Sequence, residues 1–165
     1  GFKLVATISM TVPKDYVHDT QLATFVSEHG EGKDKQLYYL NPEYKDGNFA
    51  RVTDQITPSQ KLEVDGYQIT RGVSLEACVS LVEDKKGLFV GAQGLTIAYK
   101  LIREKLPKNR WHLSPDKKEN LPVLGLVPVP DLGCYSVGDF GLGLGYWGGD
   151  WGDGCCVLVF RDRSK

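Results

Sequence analysis

Phe2, Leu4, Ala6 and Ile8 alternate with Lys3, Val5, Thr7 and Ser9 at the start of the chain, and this period of two predicts a strand with one buried face. The period then lengthens. Leu22, Ala23, Phe25 and Val26 share a face of a short helix that Asp19 is placed to cap and Gly30 to stop. A charged stretch over 28–34 reads as loop, and Gln36 to Leu40 returns to a strand. Asn41 to Pro58 is rich in turn formers, with room for one short strand at Phe49 to Val52.

Leu62 and Val64, then Asp65-Gly66, then Tyr67 and Ile69 read as a tight hairpin, because Asp-Gly readily takes the positive φ of a primed turn. Ser74 opens a helix in which Leu75, Cys78, Val79 and Val82 recur at helical spacing, and Gly87 closes it. The strongest stripe is Leu95, Ala98, Tyr99, Ile102 and Leu106, which predicts a helix from about Gln93 to Leu106 that Pro107 ends. Pro122, Pro128 and Pro130 confine the following stretch to extended edge or connector geometry.

Phe140, Leu142, Leu144 and Tyr146 alternate with Gly141, Gly143 and Gly145, so a strand here presents large side chains on one face and bare backbone on the other. Cys155 to Phe160 is apolar throughout, as a strand covered on both faces would be. Joined through 148–154, the two predict a C-terminal glycine-rich β-hairpin. The whole pattern predicts a single α+β globular domain over 1–165, with a mostly antiparallel sheet and two or three helices.

Composition adds bounds. With 41% hydrophobic and 25% charged residues the chain falls among globular proteins, and a net charge of -1 disfavours coating nucleic acid by bulk charge. The distribution of charge is more telling. No lysine or arginine stands between Lys118 and Arg161, and inside that gap Gly133 to Gly154 holds nine of the nineteen glycines and two of the three tryptophans. The longest apolar stretch, Leu121 to Val129, is broken by Gly125 and Pro128, so no membrane span is expected. Gly1 in place of Met points to a processed or trimmed terminus. Cys78, Cys134, Cys155 and Cys156 lack a C-x-x-C pair, which predicts free thiols in place of a zinc site.

No complete catalytic signature stands in the chain, and the expected class is a non-catalytic binding module for a protein or small polar ligand. Its predicted contact surface is the Tyr146 to Asp153 tip, where Tyr146, Trp147 and Trp151 offer stacking faces and Asp150 and Asp153 accept hydroxyl hydrogen bonds, as a sugar ring requires. The aspartate spacing fits neither an EF-hand loop nor a calcium repeat, so no metal is expected. Gly143 to Gly148 fits G-x-G-x-x-G, but a turn and a strand follow it where a nucleotide fold needs a helix, so no cofactor is expected.

Two alternatives remain. The segment Val90-Gly91-Ala92-Gln93-Gly94-Leu95-Thr96-Ile97 resembles the V-G-x-x-G-x-x-I core of KH domains, which implies a nucleic-acid backbone clamped at Gly91 and Gly94, with Lys100 and Arg103 of a basic helix reaching to Arg110 beside it. A small hydrolase is the other, built on Cys134 with His112 or on the carboxylates Asp150 and Asp153.

Overall fold

The computed structural model describes residues 1–122, 128–136, 138–146, 148 and 151–164. Among them the strands are β1 (Phe2–Thr11), β2 (Leu37–Leu40), β3 (Lys61–Ile69), β4 (Arg110–Leu113), β5 (Pro128–Cys134), β6 (Phe140–Tyr146) and β7 (Cys155–Asp162). The α-helices are α1 (Gln21–His29), α2 (Leu75–Asp84) and α3 (Gly91–Ile102). The class is α+β, as the periodicities predict. The strands form one sheet in the order β1-β3-β7-β4-β5-β6-β2. It is mixed where a mostly antiparallel sheet was expected, because β4 runs parallel to β7 and β2 parallel to β6.

Both faces are covered. On the first, Ile8, Leu62, Val64, Leu132, Phe140, Leu142, Leu158 and Phe160 pack with Leu22 and Phe25 of α1 and Leu95, Ala98 and Tyr99 of α3. On the second, Tyr67, Ile69, Leu113, Val157 and Val159 pack with Leu75, Cys78 and Val82 of α2. Two buried faces explain the continuous apolar run of β7, whose alternate residues enter different cores.

The same fact corrects the expected hairpin at Asp65-Gly66. Leu62 and Val64 lie in the first core and Tyr67 and Ile69 in the second, so the shift in apolar phase marks a central strand with two buried faces. Asp65 stays extended in the ladder, where it pairs with Thr7 and Val159 and its carboxylate accepts from Thr7 Oγ1 at 2.9 Å and Arg161 Nε at 2.8 Å. Gly66 faces Ala6 where the β1 register shifts.

The C-terminal hairpin is corrected as well. β6 pairs with β5 and β2, whereas β7 pairs with β3 and β4, so the chain crosses between strands that are three places apart. The glycine-rich hairpin is β5–β6, with Tyr135 N donating to Asp139 O at 2.9 Å at its closed end. Pro128 and Pro130 fit inside β5 because β4 stops at Leu113, opposite Asp131, and among the described residues that side of the strand has no further neighbour strand.

Smaller corrections follow from contacts that local sequence does not encode. Asp19 does not cap α1; the carboxylate of Asp46 accepts from Leu22 N at 2.8 Å and Ala23 N at 3.1 Å. The segment around Phe49 to Val52 forms turns instead of a strand. Ser74 does cap α2, accepting from Ala77 N at 3.2 Å. Helix α3 begins at Gly91 and ends at Ile102, so Lys108 and Arg110 do not extend it as a basic helix; Arg110 opens β4.

Candidate functional site

The predicted bare face exists, and the structure shows what lies against it. Gly141, Gly143 and Gly145 of β6 stand on the second face, and Gly133 of β5 pairs with Gly141 to widen the floor. Tyr135, just past the end of β5, folds its ring back over both: a Cβ on Gly133 would fall 2.5 Å from its Oη, and one on Gly141 3.4 Å from its Cε2. Asp131 reaches across to Gly143, with Oδ1 3.1 Å from a Cβ placed there. Trp151 covers Gly145 so closely that a Cβ would meet Cη2 at 2.2 Å. Only glycine leaves room for these rings so near the backbone.

The rest of the cluster is assembled by sheet order. Trp111 of β4 pairs with Gly133 on one side and Cys155 on the other, which puts its indole on the same face. Its Nε1 donates to Tyr135 Oη at 3.1 Å, and the two rings meet edge to face at 5.8 Å. From the opposite side comes β2. Its register shifts between Leu37 and Tyr39, and the Tyr38 ring lies 5.3 Å from Tyr135 while Tyr39 pairs with Gly141. Burial and then the Tyr38 hydroxyl push Tyr135 up to about 12, so it stays a neutral phenol. Trp111, Tyr38 and Tyr39 are exposed at 43%, 62% and 44%.

Among the described residues, Asp131 is the acid of this floor whose carboxyl burial raises. Burial raises its carboxyl to about 7, opposed only by a hydrogen bond from the Gly145 backbone. Nearby Cys155 is itself pushed up by burial and by Asp131. Above the floor, Trp151 Nε1 is buried without a hydrogen-bond partner among the described residues.

The residues predicted at the tip are only partly brought here. Trp147 and Asp150 lie outside the described residues. Trp151 bridges to Val73 through paired backbone bonds of 2.8 and 3.0 Å and packs against the second core. Tyr146 ends β6 opposite Pro128, and Asp153 is exposed in the turn before β7. Sequence reasoning missed Trp111, Tyr135, Tyr38 and Tyr39. The adjacent aromatics of β2 were a visible signal, but nothing local tied them to the glycine strand.

The anion reading gains no exposed loop. Gly91, Ala92, Gln93 and Gly94 are buried in the first turn of α3, and Gly94 N donates to Val90 O at 3.1 Å. The tight packing of Val90 and Val52 against these glycines accounts for their lack of side chains. Lys100 and Arg103 lie at the far end of the helix. Lys100 pairs with Glu28 at 3.5 Å, and Arg103 lies over the Tyr99 ring at 4.6 Å while donating from Nη2 to Gln36 Oε1 at 2.7 Å.

Cys134 and His112 do share the first face, on adjacent strands, but the chemistry is wrong for a nucleophile and base. Burial drives the Cys134 thiol up to about 12 and the His112 imidazole down to about 4. Nε2 of His112 sits 2.9 Å from Pro107 O, which holds the neutral ring. All four cysteines are free, and among the described residues no group of three or more His, Cys, Asp and Glu could hold a metal. No helix among them is long and apolar enough to cross a membrane. Comparison with known protein families, with curated proteins and with solved structures finds no match for this chain.

Proposed function

We propose that this protein is a non-catalytic binding module whose contact surface is the aromatic cluster of Trp111, Tyr135, Tyr38 and Tyr39, and that its partner is a protein. The observation that carries the reading is the exposure of three large aromatic side chains around a hydrogen-bonded Tyr135. Tyrosine and tryptophan combine large apolar area with a polar handle, and they dominate the energetics of protein interfaces. The tip places Asp153 in an exposed turn on the connection between β6 and β7, which fits a rim to the same surface.

The test is a display screen of protein domains and a glycan array, run in parallel with the wild type and with a Trp111→Ala/Tyr39→Ala double variant. Protein binders lost at least ten-fold by the variant, with its melting temperature within a few degrees of wild type, support the proposal. Binders that ignore the double substitution place the contact elsewhere, and hits confined to glycans replace the partner class.

A further inference from the structure

The sheet has two edges, and they differ in kind. The β2 edge is four residues long, whereas β1 is a ten-residue strand that pairs only with β3. Among the described residues, no backbone or side-chain hydrogen bond engages the outer N–H and C=O groups of Phe2–Thr11. The register shift between Leu4 and Ala6 interrupts the row, and the regular run of unpaired peptide groups from Ala6 to Thr11 is a template for one more strand.

The surroundings define what kind of strand. An open groove of about 490 Å³ follows Ala6, Thr7, Ile8 and Ser9, with Lys105 on its wall. Lys105 comes from the turn after α3, on the first face, and is exposed. From the other face Arg163 reaches the same stretch, its Nη1 donating to Ser9 Oγ at 2.8 Å. Lys3 is the only charged residue of β1. The acids nearest the edge are already engaged, Glu63 by Arg161 and Arg163 and Asp65 by Arg161. Neither Lys3 nor Lys105 has an acidic partner among the described residues.

We infer that the β1 edge accepts an extended acidic peptide segment, which adds as an eighth strand alongside β1 with its carboxylates toward Lys105, the groove cation that has no acidic partner among the described residues. Backbone pairing supplies affinity, and Lys105 selects the charge. Exposed Leu4 and Val5 at the other end of the strand favour apolar residues in the part of the peptide that lies beside them. A second copy of the chain is a poorer occupant. Pairing β1 with itself would bring two Lys3 and two Lys105 side chains to one seam, none of them with an acidic partner among the described residues.

The test uses the whole chain and labelled ten-residue peptides of alternating Thr and Val, carrying two glutamates, two lysines, or two glutamates with a central proline. Fluorescence anisotropy reads affinity, and hydrogen exchange reads the amides of residues 2–11. The expected result is saturable binding of the glutamate peptide alone, weakened about ten-fold by Lys105→Glu and by raised salt, with slowed exchange along β1. The Lys105→Glu protein should keep its melting temperature, because that side chain is exposed. Equal binding of the proline peptide, protection confined to β2, or no binding at millimolar concentration each overturns the inference. Concentration-dependent dimers that protect residues 2–11 without peptide would assign the edge to a second copy instead.

Discussion

The second face of the sheet is built in two ways. Over β3, β7 and β4 it is ordinary core, with Tyr67, Val157, Val159 and Leu113 projecting into α2. Over β5 and β6 the side chains are withdrawn to glycine, and the cover is Tyr135, Asp131 and Trp151. A helix needs projecting side chains to interlock with, and a glycine floor offers none. Rings and a carboxyl can lie against that floor directly, which brings polar groups to the sheet surface. The helical half buries its apolar side chains under α2 and holds its charges, Glu63, Asp65 and Arg161, as ion pairs, while the glycine half presents aromatic faces, hydroxyls and an acid.

The comparison is tested most severely by deleting side chain from the helical half. Leu75 of α2 is 1% exposed within the second core. Leu75→Ala should cost about 2–5 kcal/mol in chemical denaturation, the range for a buried leucine whose cavity does not collapse. A loss under 1 kcal/mol would mean that α2 is loosely seated and that the two halves are more alike than the packing indicates.

The opposite change probes the other half. Gly145→Ala adds a methyl where Trp151 already stands, so the indole must move, at a cost of roughly 1–3 kcal/mol for overpacking. Because Trp151 also bridges Val73 through its backbone, the ring has limited freedom to withdraw. Tryptophan emission should shift to the red together with the stability loss. Unchanged emission and stability would show that Trp151 does not seal the floor.

The two halves were not equally legible in the sequence. Period-two and helical patterns located β1, α1, α2 and α3, since each has one dominant apolar stripe, and the alternation of Phe140 to Tyr146 revealed the glycine strand. Adjacency was what failed. Asp65-Gly66 has the chemistry of a turn, but pairing on both sides with β1 and β7 holds it extended. Trp151 follows β6 closely in sequence, and local reasoning joined β6 to β7, although β4 and β5 lie between them. That insertion is also what carries Trp111 to Gly133, a contact 22 residues apart in register that no spacing rule encodes. Tyr146 to Asp153 was chosen for residue type. The cluster around Tyr135 is instead defined by who sits opposite a glycine.

The smallest expected effect concerns Asp131, the acid of the glycine half, which has no ion-pair partner among the described residues, whereas Asp65 on the same face of β3 is paired with Arg161. Its folded carboxyl titrates at about 7 against 3.8 for an unhindered aspartate. Between those values the folded protein retains a proton that the unfolded chain has released, so this group removes stability as pH rises through the window, with the penalty complete above 7. His112 on the first face works in the other direction, since a ring depressed to about 4 removes stability as pH falls from about 6.5. The two partly cancel in the wild type, and a comparison with Asp131→Asn separates them, because His112 is common to both proteins. Asn keeps an acceptor for the Gly145 backbone and carries no charge. At pH 8 the variant should be the more stable by on the order of 1–2 kcal/mol, allowing for solvent screening of a partly exposed carboxyl, and near pH 4 the difference should vanish. A difference that stays constant from pH 4 to pH 8 would show that Asp131 titrates normally, and that the glycine half hydrates its acid as an open surface does.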